Sequence, residues 1–225
     1  MIETNKIKIL NLYACLGGNR YKWDEVAEIK VTAVELDPEL ARIYQERFPN
    51  DKVIIGDAHQ YLLDHYKEFD FIWSSPPCPT HGKIRLAQKN HDKFIPEYPD
   101  MKLYEEVIFL DNVFTGKYVV ENVIPYYEPL IVAKQRGRHL YWTNFNLPTS
   151  LNDRIECNGF MNSITKNEVA KWCKFHEIDL SNYKGEQRKD KIARNLVDFE
   201  AGRTILETAL NIQKQNNIKQ TTLFQ

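Results

Sequence analysis

The chain has 225 residues, of which 43% are hydrophobic, and a formal net charge of −1. This length allows one substantial hydrophobic core and a small appendage, but not two full domains. The near-neutral charge excludes a uniformly basic nucleic-acid coat, so any contact with DNA must come from local basic patches.

The cysteines and the apolar segments argue against four further classes of protein. Cys15, Cys78, Cys157 and Cys173 lie far apart, without the spacing of a zinc site or of a disulfide framework, and we expect no bound metal. No run of about 18 apolar residues occurs, and the first residues lack the pattern of a secretion signal. We therefore expect a cytoplasmic protein with free thiols and no membrane segment.

Short β-branched runs alternate with helical patterns along the first 145 residues. The predicted strands are Ile7–Tyr13, Ile29–Glu35, Val53–Gly56, Phe69–Ser74, Tyr118–Glu121 and His139–Thr143. One helix is predicted to begin at Asp37-Pro38, with Asp37 as its cap. Two further helices are predicted over His59–Lys67 and Leu103–Phe114. This alternation predicts an α/β fold with a mostly parallel sheet, helices on both faces, and ligands beyond the carboxyl ends of the strands.

The pattern changes after about residue 150, where no strong apolar strand follows. The segment Asn152–Arg194 mixes charges, Asn and isolated aromatic residues, which is typical of a small insertion. Within it, Thr165-Lys166-Asn167-Glu168 is a capping box that predicts a helix through Phe175. A last amphipathic helix is predicted over Phe199–Ile212, and a polar tail follows.

Glycine and acidic residues follow the first three predicted strands. Gly17 and Gly18 permit a tight turn and the close approach of a nucleotide-like ligand. Glu35 ends the second strand, where an acid typically binds ribose hydroxyls, and Asp57 ends the third, where a carboxylate accepts from an exocyclic amine. One such acid alone is more often a solvated strand end, but three successive strand ends of this kind favour a cofactor site.

The fourth and fifth predicted strands lead to a thiol and a carboxyl group. Three prolines stiffen the loop that places Cys78 past the sheet edge. A lone cysteine is more often a buried small hydrophobe, but His81, Lys83 and Arg85 follow, and cationic neighbours lower the pKa of a thiol. Glu121 lies on the same edge. Addition of a thiolate to C6 of cytosine needs an acid bonded to N3, and this pair supplies both groups.

In this order, the motifs resemble those of the DNA C5-cytosine methyltransferases. The resemblance rests on the glycine-rich turn, Glu35, Asp57, the Pro-Pro-Cys loop at Cys78, Glu121-Asn122-Val123, Arg136-Gly137-Arg138 and a last motif at Arg194-Asn195-Leu196-Val197. It covers residues 7–145 and about 190–212. It implies a Rossmann-like fold of the S-adenosylmethionine-dependent methyltransferases, with a small target-recognition insertion.

The resemblance implies S-adenosylmethionine as the methyl donor and double-stranded DNA as the partner, with the target cytosine flipped out of the duplex. Cys78 would add to C6, Glu121 would bond N3 and Asn122 would orient the Glu121 loop, while Arg136 and Arg138 would hold the target ring and the flanking backbone. The implied cofactor-binding residues are Tyr13, Ala14, Cys15, Gly17, Gly18, Glu35, Leu36, Asp57, Ala58, Ser75, Pro76, Asn195 and Val197. A loop from His81 to Lys93 would close over the DNA backbone, with contacts from His81, Lys83, Arg85 and Lys89.

Four regions are expected from the resemblance. They are a catalytic and cofactor-binding domain over 1–145, a target-recognition region over 146–191, a returning segment over 192–214 and a flexible tail over 215–225. The chain departs from the family at Cys15, which replaces a glycine, at Asn11, which replaces an acid, and at Pro79 and Lys134, which replace glutamines. None of these departures removes a reacting group. The small target-recognition region favours a short DNA site or the help of a partner.

The tail contains a second motif, Gln220-Thr221-Thr222-Leu223-Phe224. It resembles short peptides that dock on the sliding clamps of replication machinery, with Gln220, Leu223 and Phe224 as the contacts. A disordered tail with two chance hydrophobic residues is the alternative.

Three alternatives to DNA C5-cytosine methylation remain open in the sequence. An exocyclic-amine methyltransferase uses a related Ser-Pro-Pro loop, but that chemistry leaves Cys78 and Glu121 unexplained. An RNA C5-cytosine methyltransferase would share the ring chemistry. A catalytically inactive DNA-binding module would retain the fold alone. The biological setting is open between restriction-modification, protection of a phage genome and epigenetic marking, in a bacterial cell or a phage-infected host.

Overall fold

One seven-stranded sheet forms the centre of the computed structural model, which describes residues 6–87, 89–90, 92, 94–151 and 166–212, without the side chains of residues 166–168 and 194. Its strands are β1 (Ile7–Leu12), β2 (Ile29–Glu35), β3 (Lys52–Ile55), β4 (Phe71–Ser74), β5 (Lys117–Val123), β6 (Lys134–Arg136) and β7 (His139–Thr143). Their order in the sheet is β3-β2-β1-β4-β5-β7-β6. The first five strands in this order pair in parallel, and β7 pairs antiparallel with β5 and β6. The predicted mostly parallel sheet is confirmed.

Seven α-helices flank the sheet within the described residues. They are α1 (Pro38–Arg47), α2 (Ala58–His65), α3 (Ile84–Ala87), α4 (Lys102–Val113), α5 (Lys166–Phe175), α6 (Lys189–Arg194) and α7 (Phe199–Ala209). Short 3-10 helices occupy Trp23–Glu25 and Tyr66–Glu68.

Acidic caps begin the helices that follow β2 and β3. The side chain of Asp37 accepts from the backbone N–H groups of Glu39 and Leu40, as the Asp37-Pro38 pair predicts. Asp57 begins α2 in the same way, through the N–H groups of His59 and Gln60. A carboxylate therefore lies just beyond the carboxyl end of each of these two strands, at the beginning of the helix that follows.

Apolar side chains cover both faces of the sheet, which confirms the predicted double layer of helices. On one face, Leu10 and Leu12 belong to a buried cluster with residues of α2 and α4. On the other face, Ile9 belongs to a buried cluster that contains Trp23 and residues of α7. The Trp23 indole N–H donates to the Gly202 carbonyl at 3.1 Å, so α7 is joined to the segment after β1.

Several element boundaries differ from the sequence prediction. The fourth strand begins at Phe71 instead of Phe69, because the preceding residues form the 3-10 helix at Tyr66–Glu68 and its closing turn. The last helix ends at Ala209 instead of Ile212, because Asn211 has a φ of +55°, which a helix does not accommodate. β6 and α6 were not predicted, because both are short and polar and show no apolar periodicity.

Candidate active site

The carboxyl ends of β1 and β4 meet at the point where the strand order changes direction. In open α/β sheets a crevice for ligands forms at this topological switch point. Ser74 ends β4 and pairs with Val120 of β5, so Glu121 lies level with the start of the loop that carries Cys78. The fold thus brings the predicted nucleophile and the predicted acid to the same edge of the sheet.

Hydrogen bonds hold the loop that carries Cys78. The Cys78 carbonyl accepts from the His81 N–H at 3.0 Å, which closes a tight turn after the thiol. The Asn122 side-chain amide donates to the Pro76 carbonyl at 2.9 Å. Asn122 therefore joins β5, the strand that carries Glu121, to the nucleophile loop. The sequence predicted only that Asn122 orients the loop of Glu121.

The Cys78 thiol is half-buried and lies within the electrostatic range of Glu121, which is buried. Burial raises the pKa of this thiol, and the charge of Glu121 raises it further. The charges of Lys191 and Arg138 lower the pKa, but by less. A negative Glu121 therefore opposes the formation of the thiolate, and loss of that charge favours it.

His81 occupies a different environment from the predicted one. Only 1% of its surface is exposed, and its Nδ1 forms a 2.5 Å hydrogen bond with the Tyr127 hydroxyl. Burial lowers the pKa of His81, which favours the neutral imidazole. The turn after Cys78 directs this ring into the protein, so in this structure His81 does not face the surface as the predicted contact with DNA requires.

The basic residues that follow His81 divide into two kinds. Arg85 is ion-paired with Glu97 at 2.6 Å and also donates to the Ile95 carbonyl at 2.6 Å. Lys83 and Lys89 are exposed. The predicted effects of Lys83 and Arg85 on the pKa of Cys78 stay predictions. Lys93 lies outside the described residues.

The two arginines of the Arg-x-Arg pair lie in different surroundings. Arg136 donates to the backbone carbonyls of Pro148 at 2.9 Å, Gln135 at 2.8 Å and Leu147 at 3.4 Å. These bonds give Arg136 a structural role in holding the segment after β7. The Arg138 guanidinium lies 5.5 Å from the centre of the Trp172 ring. Its charge also reaches Cys78, so Arg138 is the member of the pair that the structure brings to the thiol.

His139 is a site residue that sequence reasoning missed. Its Nε2 lies 3.4 Å from the Glu121 Oε1, and both side chains are buried. β5 and β7 pair Val123 with His139, and this register places the imidazole diagonally across from Glu121 on the same face of the sheet. The sequence offered one signal for this role, because His139 directly follows the Arg-x-Arg pair at Arg136 and Arg138.

The turn after β1 approaches Glu35. Tyr13 and Cys15 adopt left-handed φ values of +55° and +46°, and Gly17 follows at +67°. The Cys15 N–H donates to the Glu35 carboxylate at 2.8 Å, and the Asp37 N–H donates to its other oxygen at 2.9 Å. Burial raises the pKa of Glu35, although these N–H groups oppose the shift. The carboxylate of Glu35 is thus buried and held at the carboxyl end of β2, the position predicted for an acid that binds ribose.

The ends of β2 and β3 fit an adenosine-like group by the chemistry of their side chains. Leu36 is 71% exposed, although it is apolar and directly follows Glu35. A side-chain carbon added at Gly56 would meet no atom within 4 Å, so the space beside Gly56, at the end of β3, is open. Asp57 is exposed, with one oxygen engaged in capping α2 and the other 3.8 Å from Lys102 Nζ. An apolar surface next to two carboxylates suits a purine and its ribose.

The residues after α6 return to the turn after β1. A side-chain carbon added at Gly18 would lie 2.6 Å from the Val197 carbonyl oxygen, so only glycine permits this approach. Val197 is buried and Asn195 is exposed. The predicted last motif therefore lies against the predicted glycine-rich motif.

The segment from the end of α5 through α6 packs on the turn after β1 and on α1. Leu180, Tyr183 and Ile192 form a buried cluster with Leu16 of the turn after β1 and Leu40 of α1. The Gln187 side-chain amide also donates to Asp37 Oδ2 at 3.1 Å. The segment that was expected to recognise the target thus covers the turn after β1 and the first turn of α1.

The remaining predicted positions complete this description. Ala14, Ala58 and Pro76 are buried, and Ser75 is partly buried and accepts from the Trp73 indole N–H at 2.9 Å.

The positions that lie outside the described residues are Cys157, Thr165 of the predicted capping box, and Gln220, Leu223 and Phe224 of the predicted clamp motif. In the part of the chain that the structure describes, no helix is long and apolar enough to cross a membrane, and no group of three His, Cys, Asp or Glu side chains could hold a metal ion.

The comparison with protein families confirms the resemblance over the first part of the chain. Residues 7–96 match the family model of the C-5 cytosine-specific DNA methylases, which is less than half of the 225 residues. The match contains the predicted cofactor-binding residues from Tyr13 to Pro76 and the nucleophile loop with Cys78. No curated protein matches the chain in sequence.

The comparison with solved structures finds partial similarities. A mutant of DNMT2 from Spodoptera frugiperda is 25% identical, with a TM-score of 0.39, and the match covers 52% of this chain and 36% of that protein. A SAM-dependent methyltransferase from Agrobacterium tumefaciens is 16% identical, with a TM-score of 0.39, and the match covers 55% of this chain and 41% of that protein. The chain therefore spans less than half the length of either protein.

Proposed function

We propose that this chain is a DNA C5-cytosine methyltransferase that uses S-adenosylmethionine. The single observation that carries the proposal is the position of Cys78 beside the buried Glu121 at the switch-point edge of the sheet. The family match of residues 7–96 supports the same reaction. The carboxylates at Glu35 and Asp57 lie at the carboxyl ends of β2 and β3, at the same edge of the sheet, where a methyl donor would bind.

Glu121 would act as the acid that activates the ring. The N3 atom of neutral cytosine accepts a hydrogen bond, so Glu121 must hold a proton when the base arrives. A protonated Glu121 no longer raises the pKa of Cys78, and the positive charges of Arg138 and Lys191 then favour the thiolate. The acid and the nucleophile are thus activated together.

The covalent step follows from this arrangement. The Cys78 sulfur forms a bond to C6. The π electrons of the C5–C6 bond shift through C4 toward N3, and N3 takes the proton of Glu121. S-adenosylmethionine, when bound, supplies the methyl group that C5 takes. The proton on N3 returns to Glu121 as C5 takes the methyl group. A base then removes the C5 proton, the freed electron pair re-forms the C5–C6 double bond, and Cys78 leaves C6 as a thiolate.

His139 and Asn122 would support the reacting pair. Nε2 of His139 lies 3.4 Å from Glu121, where an N–H could stabilise the carboxylate that forms when the proton moves to N3. Asn122 holds the nucleophile loop at a fixed position relative to β5 through Pro76. Near-attack geometry depends on such fixed positions, because small misplacements of a nucleophile lower the rate strongly.

Exposed lysines and the turn after β6 would contact the DNA. Lys83 and Lys89 lie on the segment after the nucleophile loop and can neutralise phosphates. Arg138 would hold the target ring or its flanking backbone, because its charge reaches the Cys78 thiol. Residues 146–191 are proposed to recognise a short sequence, as the small size of this region suggests.

The alternatives differ in what they require of these residues. An exocyclic-amine methyltransferase needs neither the thiol nor the acid, and methylation of RNA would use the same pair. Docking of the tail on a sliding clamp remains a separate proposal, and so does a role in restriction-modification or in protecting a phage genome. Binding of a peptide that spans residues 217–225 to a purified clamp tests the docking, and no signal at high micromolar concentration rejects it.

The decisive experiment measures transfer of labelled methyl groups to duplex DNA and to RNA by the purified chain. We expect transfer to C5 of cytosine in DNA, and bisulfite sequencing of the product then gives the recognition site. Transfer to RNA alone would change the substrate, and transfer to an exocyclic amine would overturn the proposal. No transfer to either polymer, with the protein folded, would favour the inactive DNA-binding module.

A further inference from the structure

Glu106, on α4, is a buried carboxyl group that the reaction does not use. Its side chain is 0% exposed. A buried carboxylate is costly unless hydrogen bonds replace its water, so its partners show what keeps it there. Oε1 accepts from the Tyr13 hydroxyl at 2.6 Å and pairs with His59 Nδ1 at 3.0 Å, while Oε2 accepts from the Ser74 hydroxyl.

The three partners of Glu106 come from three different segments of the sheet edge. Tyr13 directly follows β1, Ser74 is the last residue of β4, and His59 lies in the first turn of α2, after β3. Each segment carries part of the proposed site: the turn after β1, the start of the nucleophile loop, and the cap residue Asp57. One carboxyl group thus joins three segments that are far apart in the chain.

Two observations concern the residues that these bonds hold, Tyr13 and His59. Tyr13 has a φ of +55°, which is unfavourable for a bulky residue unless its surroundings hold it there. The hydrogen bond to Glu106 raises the pKa of His59, so the pair favours a charged imidazole against the carboxylate. The bonds at Glu106 therefore constrain both the turn after β1 and the beginning of α2.

We propose that Glu106 is a positioning residue for the cofactor site. It fixes the distance between the turn after β1 and the acid at Asp57, although its own side chain is buried and does not reach the ligand. The proposal rests on the proposed function only in naming the ligand, an S-adenosyl compound. The sequence alone shows no sign of this role, because Glu106 lies within an ordinary helical pattern.

The test is calorimetric binding of S-adenosylhomocysteine without DNA, together with thermal unfolding of the ligand-free protein. Glu106→Gln keeps the shape of the side chain but removes its charge and one acceptor oxygen, so the pairing with His59 is weakened and a hydroxyl must accept where it now donates. We expect about a tenfold increase in Kd. The control is Asp64→Asn, an exposed acid on α2 that accepts from the Gln60 side chain, where we expect a change in Kd of less than about twofold.

The outcomes separate positioning from simple stabilisation. A lower Tm with an unchanged Kd in Glu106→Gln would overturn the proposal, and so would the absence of S-adenosylhomocysteine binding by the wild-type chain. If Glu106→Gln does not fold, Tyr13→Phe and Ser74→Ala remove one donor each, and we expect each to raise Kd about threefold; unchanged Kd values in both would overturn the proposal. Binding by the wild-type chain without methyl transfer would reject the proposed function but not this role of Glu106.

Discussion

The two sides of the sheet edge hold their charged groups in different ways. On the proposed cofactor side, formed by the segments after β1, β2 and β3, the carboxylates of Glu35, Asp37 and Asp57 all accept backbone N–H groups. On the catalytic side, formed by the nucleophile loop and the ends of β5 and β7, Cys78 and Glu121 influence each other through space. Backbone donors fix a carboxylate in place, whereas a thiol and an acid surrounded by side chains can exchange protons during a reaction.

The sharpest test of this contrast is Cys78→Ser. The hydroxyl is a far weaker nucleophile than a thiolate, so we expect loss of methyl transfer and of the covalent complex with DNA that contains 5-fluorocytosine. Binding of S-adenosylhomocysteine should be unchanged, because Cys78 is not on the cofactor side. Denaturing gel electrophoresis detects the complex, and full activity of the variant would refute the proposed reaction.

Glu121→Gln should have the second largest effect. The amide cannot give its proton to N3, and general acid catalysis typically contributes a factor of about 10² to 10⁴, so we expect kcat to fall by that amount. Single-turnover methyl transfer measures this change. Asp64→Asn, an exposed acid on α2, serves as a control for loss of a carboxylate. A fall of less than about threefold in Glu121→Gln would show that another group activates the ring.

His139 offers a smaller and more selective test. We expect His139→Leu, which removes the ring nitrogen near Glu121, to lower kcat about tenfold, while His139→Gln restores part of the rate through its side-chain N–H. KM for DNA should stay within about twofold in both variants. Equal rates in the two variants would mean that the ring only fills space between β5 and β7.

The smallest expected effect is a shift in the pH dependence of thiol alkylation. Burial and the charge of Glu121 both raise the pKa of Cys78, so alkylation by iodoacetamide should reach half of its maximum rate above the ordinary thiol value of 9.0. In Glu121→Gln one of these causes is removed, and the midpoint should move to lower pH. Peptide mass spectrometry separates Cys78 from Cys15, whose pKa burial raises to about 12. An unchanged midpoint would show that Glu121 does not act on the thiol.

The fold and part of the site could be predicted because their signals are local. The β-branched runs and the Asp37-Pro38 cap depend on neighbouring residues alone, and the predicted boundaries of β2 and β7 agree with the structure. The family match over residues 7–96 confirms the resemblance that Cys78 and the preceding motifs indicated. The strand that carries Glu121 was predicted too, and pairing with β4 places this acid on the expected edge.

The surroundings of the reacting groups could not be predicted in the same way. His81 follows Cys78 closely in the sequence, yet its side chain is buried against Tyr127, while the cations that act on the thiol are Arg138 and Lys191, far away in the chain. A pKa depends on burial and on charges within a few ångströms, and sequence distance determines neither quantity.

The amino-acid sequence by itself determined the succession of strands and helices and the residue types at the strand ends, on which the proposed class of reaction rests. Periodicity and capping are properties of short segments, which is why they can be recognised in one dimension. Only the tertiary structure decided that His139 lies beside Glu121, that Glu106 joins three separate segments, and that the segment from the end of α5 through α6 covers the turn after β1. These contacts join residues that are distant in the chain, and packing of the two layers of helices on the sheet brings them together.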